Sequence, residues 1–146
     1  MLIYLDNCCY NRPFDDQMLE RIRMESEAIL AIIGMSKRNY HKIIGSAALD
    51  FEIEQIYDFV KKERVRCFYE QTISEKLSYS DDVLDFAQNL SEHTNIKMLD
   101  RLHLSFAVNS WADILLTTDD RFEKAAAKLD IKTRVINPFK YLMEVI

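Results

Sequence analysis

Short continuous apolar runs alternate along this chain with longer stretches whose apolar positions recur every three or four residues, the signature of strands alternating with helices. Leu2-Ile3-Tyr4-Leu5 reads as a first strand ending at Asp6-Asn7, and Asn11-Arg12-Pro13 as a turn. From Asp15 or Asp16, either of which suits an N-cap, to about Arg38 there is no proline. Met18, Ile22, Glu25, Ile29 and Ile33 keep helical spacing, which predicts one long helix with Gly34 as its weak point. His41 to Ser46 reads as a second strand. Ala47 to Lys62 reads as a helix with Leu49, Ile53, Ile56, Tyr57 and Val60 on one face.

The stretch from Val65 to Glu75 is open at this level, since Cys67-Phe68-Tyr69 suits a brief strand while Glu70 onward resembles a helical turn. Ser80-Asp81-Asp82 caps a helix from about Val83 to Glu92, with Leu84, Phe86, Ala87 and Leu90 as core candidates. Ile96 to Trp111 is helical, and Asp100, His103 and Ala107 fall along one side of it. Asp113 then opens an all-apolar strand that stops at Thr117-Thr118-Asp119. Asp120 to Leu129 is a helix, Thr133 to Ile136 a last strand, and Asn137-Pro138 the start of a terminal helix. Short all-apolar strands belong to parallel sheets buried on both faces, so the order predicts an α/β fold with a central parallel sheet and helices on both sides. With 146 residues, and no repeat or linker, a single domain over 1–146 is expected.

Composition narrows the function classes. Apolar residues make up 49% and charged residues 29%, which excludes disordered and fibrous chains. No apolar run approaches the roughly 18 residues of a membrane span, so a cytoplasmic protein is expected. Cys8, Cys9 and Cys67 form no CxxC pair and are odd in number, which argues against a disulfide framework. Twenty-four acids against nineteen bases leave a net charge of −5, the wrong sign for holding nucleic acid by bulk electrostatics. Any contact with nucleic acid then depends on local features. The densest basic run, Lys61-Lys62-Glu63-Arg64-Val65-Arg66, reads as a solvated helix end.

Against that background, four acids stand at transitions from apolar runs to turns or helices: Asp6, Glu52, Asp100 and Asp119. Open α/β folds gather strand-end residues at one edge of the sheet. Carboxylates brought together there repel one another and favour a hard divalent cation, Mg²⁺ or Mn²⁺. Three histidines, His41, His93 and His103, are too few for a His-rich zinc site, and His103 reads as a packed residue bonding locally. Each acid alone also has an ordinary reading: Asp6 and Asp119 as turn residues, Glu52 as a solvated helix side chain, Asp100 as a charge favouring a helix N-terminus.

Taken in order, Leu5-Asp6-Asn7-Cys8-Cys9-Tyr10-Asn11-Arg12-Pro13, Gly45 to Glu52, Asp100 to Ala107, Leu115 to Phe122 and the closing Val135-Ile136-Asn137-Pro138-Phe139 resemble a PIN domain over nearly the whole chain. The resemblance implies a three-layer α/β/α sandwich and a Mg²⁺- or Mn²⁺-dependent ribonuclease. Asp6, Glu52, Asp100 and Asp119 match the family's acids as metal and catalytic residues. Thr117, Thr118 and Asp120 are implied as outer-shell groups. Arg12, Arg101 and Arg121, beside those acids in sequence, are candidates for RNA phosphate contacts or for salt bridges. Single-domain proteins of this kind resemble VapC toxins, which implies an RNA substrate, an antitoxin partner and a homodimer. The long helix after Arg12 and the material between Val65 and Leu90 exceed the shortest toxins.

Other classes make different demands. A signalling receiver that gathers acids around Mg²⁺ requires an early acid pair and a lysine near the last strand. An aspartate-nucleophile phosphatase requires an aspartate where Cys8 stands. A noncatalytic binding module of the same fold would be favoured by loss of an acid, and all four acids are present.

Overall fold

Ile3, Tyr4 and Leu5 are fully buried, so β1 (Leu2–Leu5) has protein on both faces and lies at the centre of the sheet. In the computed structural model, which describes residues Met1–Ile146, β1 is joined by β2 (Lys42–Ser46), β3 (Glu75–Leu77), β4 (Ile114–Leu116) and β5 (Arg134–Ile136). All pairings are parallel and the order is β3-β2-β1-β4-β5. Leu5 stands beside Leu116, which brings the carboxyl ends of β1 and β4 level.

Eight α-helices complete a three-layer α/β/α arrangement: α1 (Asn7–Asn11), α2 (Glu20–Lys37), α3 (Ala47–Glu54), α4 (Phe59–Thr72), α5 (Asp81–Ser91), α6 (Met98–Asn109), α7 (Asp120–Ala126) and α8 (Pro138–Val145). Among them α2 packs on α8 and α5 on α6. The core is one continuous cluster running from Ile3 to Tyr141. Signalling receivers order their strands 2-1-3-4-5, and the observed order differs. No helix is long and apolar enough to cross a membrane.

Several boundaries depart from the periodicity. The expected turn at Asn11-Arg12-Pro13 is the end of α1 followed by a 3-10 turn over Arg12–Phe14. The long helix starts at Glu20, because Asp16 accepts the Met18 N–H and holds the preceding residues in a turn; Gly34 leaves it unbroken. Ala47 to Lys62 is two helices. Asp58 caps a new one by accepting the Lys61 N–H at 3.1 Å, and Tyr57 and Val60 lie exposed. Cys67-Phe68-Tyr69 is helical within α4, and the edge strand is Glu75–Leu77, where exposed Glu75 and Lys76 leave Leu77 as the only apolar residue. On α5 the buried residues are Val83, Ala87 and Leu90, while Leu84 is exposed.

Candidate metal centre

The strand order reverses at β1: the chain runs outward to β2 and β3, then returns past β1 to β4 and β5. In open α/β sheets a crevice forms at the carboxyl ends of the strands at such a point. Asp6 is the first residue after β1, and its Oδ1 accepts the Asn7 N–H at 2.7 Å, starting α1. Ser46 ends β2 and caps α3 through the Leu49 N–H, which places Glu52 in the second turn of that helix. Asp100 lies in the first turn of α6. Asp119 caps α7, accepting the Arg121 and Phe122 N–H groups at 3.0 and 3.2 Å.

These four carboxylates line one pocket of about 480 Å³ together with Asn7, Cys8 and Lys97. A larger cavity, about 700 Å³, lies between α2, α7 and α8. There Arg21 is paired with Asp120 and Lys140 with Glu123, so its charges are already neutralised locally. The acidic pocket is where charge is left uncompensated.

Its electrostatics follow from that imbalance. Burial, then the negative charge of Asp6, pushes the Asp100 carboxyl up to about 7, with Asp119 and Glu52 adding to the shift. Burial alone would raise Glu52 too, but its bonds to His103 and Asn7 hold its pKa below the ordinary carboxylate value. Asn7 Nδ2 donates to Glu52 Oε2 at 2.9 Å, and His103 Nε2 bonds Oε1. His103 is fully buried. Burial opposes its protonation, yet the bond to Glu52 and the charges of Asp6, Glu52 and Asp100 raise its pKa overall.

The residues expected around the acids divide into two sets. Thr117 is joined to the centre, its hydroxyl donating to Asp6 Oδ2 at 2.8 Å and accepting the Asp119 N–H at 3.1 Å. Thr118 is buried, its N–H directed at Cys8 Sγ, 3.3 Å away. Asp120 turns outward into a two-pronged pair with Arg21 at 2.7 and 2.9 Å. Arg12 is drawn to Glu25 and Asp15 at 3.0 and 3.3 Å. Arg101 donates to the Ile96 carbonyl, and Arg121 is exposed; none of the three arginines lines the pocket. Asn7, Lys97 and the partnership of His103 with Glu52 escaped the sequence reading. The one signal for His103 was its spacing of three from Asp100, which shares a helix face.

The donor set fits a hard divalent cation. One ligand atom from each of Asp6, Glu52 and His103 lies within 4.8 Å of the others. The His103 nitrogen is engaged by Glu52 and sealed in the core, so the donors left facing the pocket are carboxylate oxygens, the ligands that Mg²⁺ and Mn²⁺ take.

No protein-family model and no curated protein matches the sequence. In structure, the chain is similar to a chain of the VapBC2 complex from Rickettsia felis, solved bound to a DNA fragment from their promoter. The TM-score is 0.59 at 13% identity, over 94% of this chain and 98% of that one. That similarity is one of fold.

Proposed function

We propose that the protein is a Mg²⁺- or Mn²⁺-dependent endoribonuclease, hydrolysing phosphodiester bonds of single-stranded RNA at this pocket. The observation that carries the reading is the convergence of Asp6, Glu52, Asp100 and Asp119 from four separate segments on one crevice, with Asp100 raised to about 7 by burial among the others. Carboxylates crowded in this way destabilise the empty pocket and favour a cation in it.

Asp6, Glu52, Asp100 and Asp119 would hold the cation, which supplies positive charge and Lewis acidity for attack on the phosphodiester. Around it the chain's own groups have separate tasks. Thr117 keeps Asp6 turned towards the pocket, Asn7 does the same for Glu52, and Asp119 is fixed by its role as a helix cap. Lys97 is the basic side chain at the pocket wall and forms no salt bridge, and it would receive an RNA phosphate. Arg121, exposed in the first turn of α7, is a second candidate for the same contact.

The test is cleavage of single-stranded RNA by purified protein. Cleavage is expected with Mg²⁺ or Mn²⁺ and none with EDTA; Asp6→Asn and Asp100→Asn should abolish it while circular dichroism stays unchanged. Variants as active as the wild type would overturn the assignment.

The fold shared with a chain of a VapBC complex and the resemblance to PIN-domain toxins extend the proposal to a cytoplasmic toxin, a homodimer restrained by a cognate antitoxin. Co-expression with the product of a neighbouring short reading frame should yield a stable complex without ribonuclease activity. Full activity in its presence would remove the toxin role and leave the nuclease.

A further inference from the structure

Behind the acidic pocket a run of buried polar groups ends on Glu52. His103 Nε2 bonds Glu52 Oε1, His103 Nδ1 lies 2.6 Å from the Tyr4 hydroxyl, and that hydroxyl lies 2.6 Å from Ser46 Oγ. Tyr4, Ser46 and His103 are each fully buried. Polar groups in a core are expensive unless each is satisfied, and here each is. Ser46 Oγ accepts the Leu49 N–H at 3.2 Å, which also starts the helix carrying Glu52. With a neutral imidazole, Ser46 donates to Tyr4, Tyr4 to Nδ1, and Nε2–H to Glu52. With a charged one, the bonds between Nδ1, Tyr4 and Ser46 reverse, and the Ser46 hydroxyl, then accepting from Tyr4 and Leu49, loses the acceptor for its own proton. In both states the proton facing Glu52 is on Nε2, so the hold on the carboxylate does not depend on the state of the ring.

We propose that His103, braced by Tyr4, is a positioning residue that presents the Glu52 carboxylate to the divalent cation. The inference rests on the reading of the pocket as a cation site. The geometry favours it over simple core packing: His103 lies at a helix position where an apolar side chain would fill the space, yet it sends one nitrogen to a pocket acid and the other to a tyrosine on the central strand. Asn7 grips the other oxygen of the same carboxylate, so Glu52 is fixed from two directions and one of them originates in the core. Hydrogen bonds that orient ligating carboxylates contribute to metal affinity, typically about 10–100-fold when removed.

The experiment is a Mn²⁺ titration of metal-free protein without RNA, followed by electron paramagnetic resonance, with thermal melting as a control for folding. His103→Leu should bind Mn²⁺ about 10–100-fold more weakly. Tyr4→Phe keeps the ring and deletes the hydroxyl, and should weaken binding in the same direction by less. His103→Gln, whose amide restores an N–H towards Glu52, should recover part of the loss. Wild-type affinity in folded His103→Leu and Tyr4→Phe overturns the proposal; if His103→Leu fails to fold, Tyr4→Phe decides. A wild type that binds no Mn²⁺ ends both this proposal and the nuclease reading, whereas one that binds Mn²⁺ as described but leaves RNA intact ends only the latter.

Discussion

Thr117 Oγ1 donates to Asp6 Oδ2 across 2.8 Å, joining the first residue after β4 to the first residue after β1. The same oxygen accepts the Asp119 N–H at 3.1 Å, so one hydroxyl registers two pocket acids against each other. Thr117→Val removes it with little change of shape and leaves Asp6 Oδ2 without its hydroxyl donor. The expected result is about a tenfold loss of Mn²⁺ affinity and a loss of stability on the order of 1 kcal/mol, with Thr117→Ser close to wild type in both. Calorimetric titration and melting curves measure the two effects separately.

Asp100 makes the metal-free protein sensitive to pH in a defined sense. Its folded-state pKa of about 7 lies above the ordinary value of 3.8, so the folded state binds its proton more tightly than the unfolded state does. Stability is therefore highest at the acid end of this range and falls as pH rises from about 4 to about 7, where the penalty is complete. Because Asp100 is only half-buried, solvent screening reduces the effect to about 1–2 kcal/mol. His103, also raised, gives a fall of the same sign that begins only above 6.5, and Glu52, lowered, acts below 4.5. Melting temperatures in EDTA between pH 5 and 8 should decline. Asp100→Asn should remove the decline below pH 6.5, and excess Mg²⁺ should reverse it. A flat profile for the metal-free wild type would contradict the crowding of the pocket.

Asp6, Asp100 and Asp119 were legible in the sequence because each follows an apolar run or stands in the first turn of a helix, where a break in hydrophobic pattern coincides with a change of direction; Glu52, in the second turn of α3, was singled out by the resemblance to the PIN family. Strands β1 and β4 were legible as continuous apolar runs, and β2 and β5 through the shorter apolar pairs Ile43-Ile44 and Val135-Ile136. Strand β3 was not, since Glu75 and Lys76 are exposed at the sheet edge and pair through the backbone alone. Nor was the division of α3 from α4, which depends on a cap at Asp58 inside an unbroken helical period. The partners of the acids lie outside any local pattern: Thr117 meets Asp6 across 111 positions, and His103 meets Glu52 across 51. Spacing along the chain placed Arg12 beside Asp6, but folding turns Arg12 to Glu25 instead.

Glu25 is a buried carboxylate, 2% exposed, that accepts from Arg12 at 3.0 Å, Arg21 at 3.3 Å and Asn137 at 2.5 Å. It ties the 3-10 turn after α1 to α2 and to the start of α8. Deleting one partner of a buried ion pair leaves charge uncompensated, but two donors would remain here. Arg12→Ala is therefore expected to lower stability by about 1–3 kcal/mol while leaving Mn²⁺ affinity within twofold. Chemical denaturation and metal titration of the same sample check both. An unchanged denaturation midpoint with a raised KM for RNA would instead make Arg12 a phosphate contact.

Lys97 stands immediately before α6, at a position where its side chain makes no capping bond, and it lines the acidic pocket without a salt-bridge partner. Its removal should therefore leave helix and fold intact. Lys97→Ala is expected to raise KM for single-stranded RNA several-fold with kcat little changed, because the lost interaction is with a phosphate that stays bound throughout the reaction. A single lost phosphate contact should also reduce the slope of log affinity against log salt by about 0.7. Mn²⁺ affinity should stay constant or rise, since a positive charge has been taken away from the mouth of an anionic pocket. A fall in Mn²⁺ affinity would mean that Lys97 orders the acids rather than meeting the RNA; an unchanged salt slope would mean that the phosphate is received elsewhere, with Arg121 the next residue to vary.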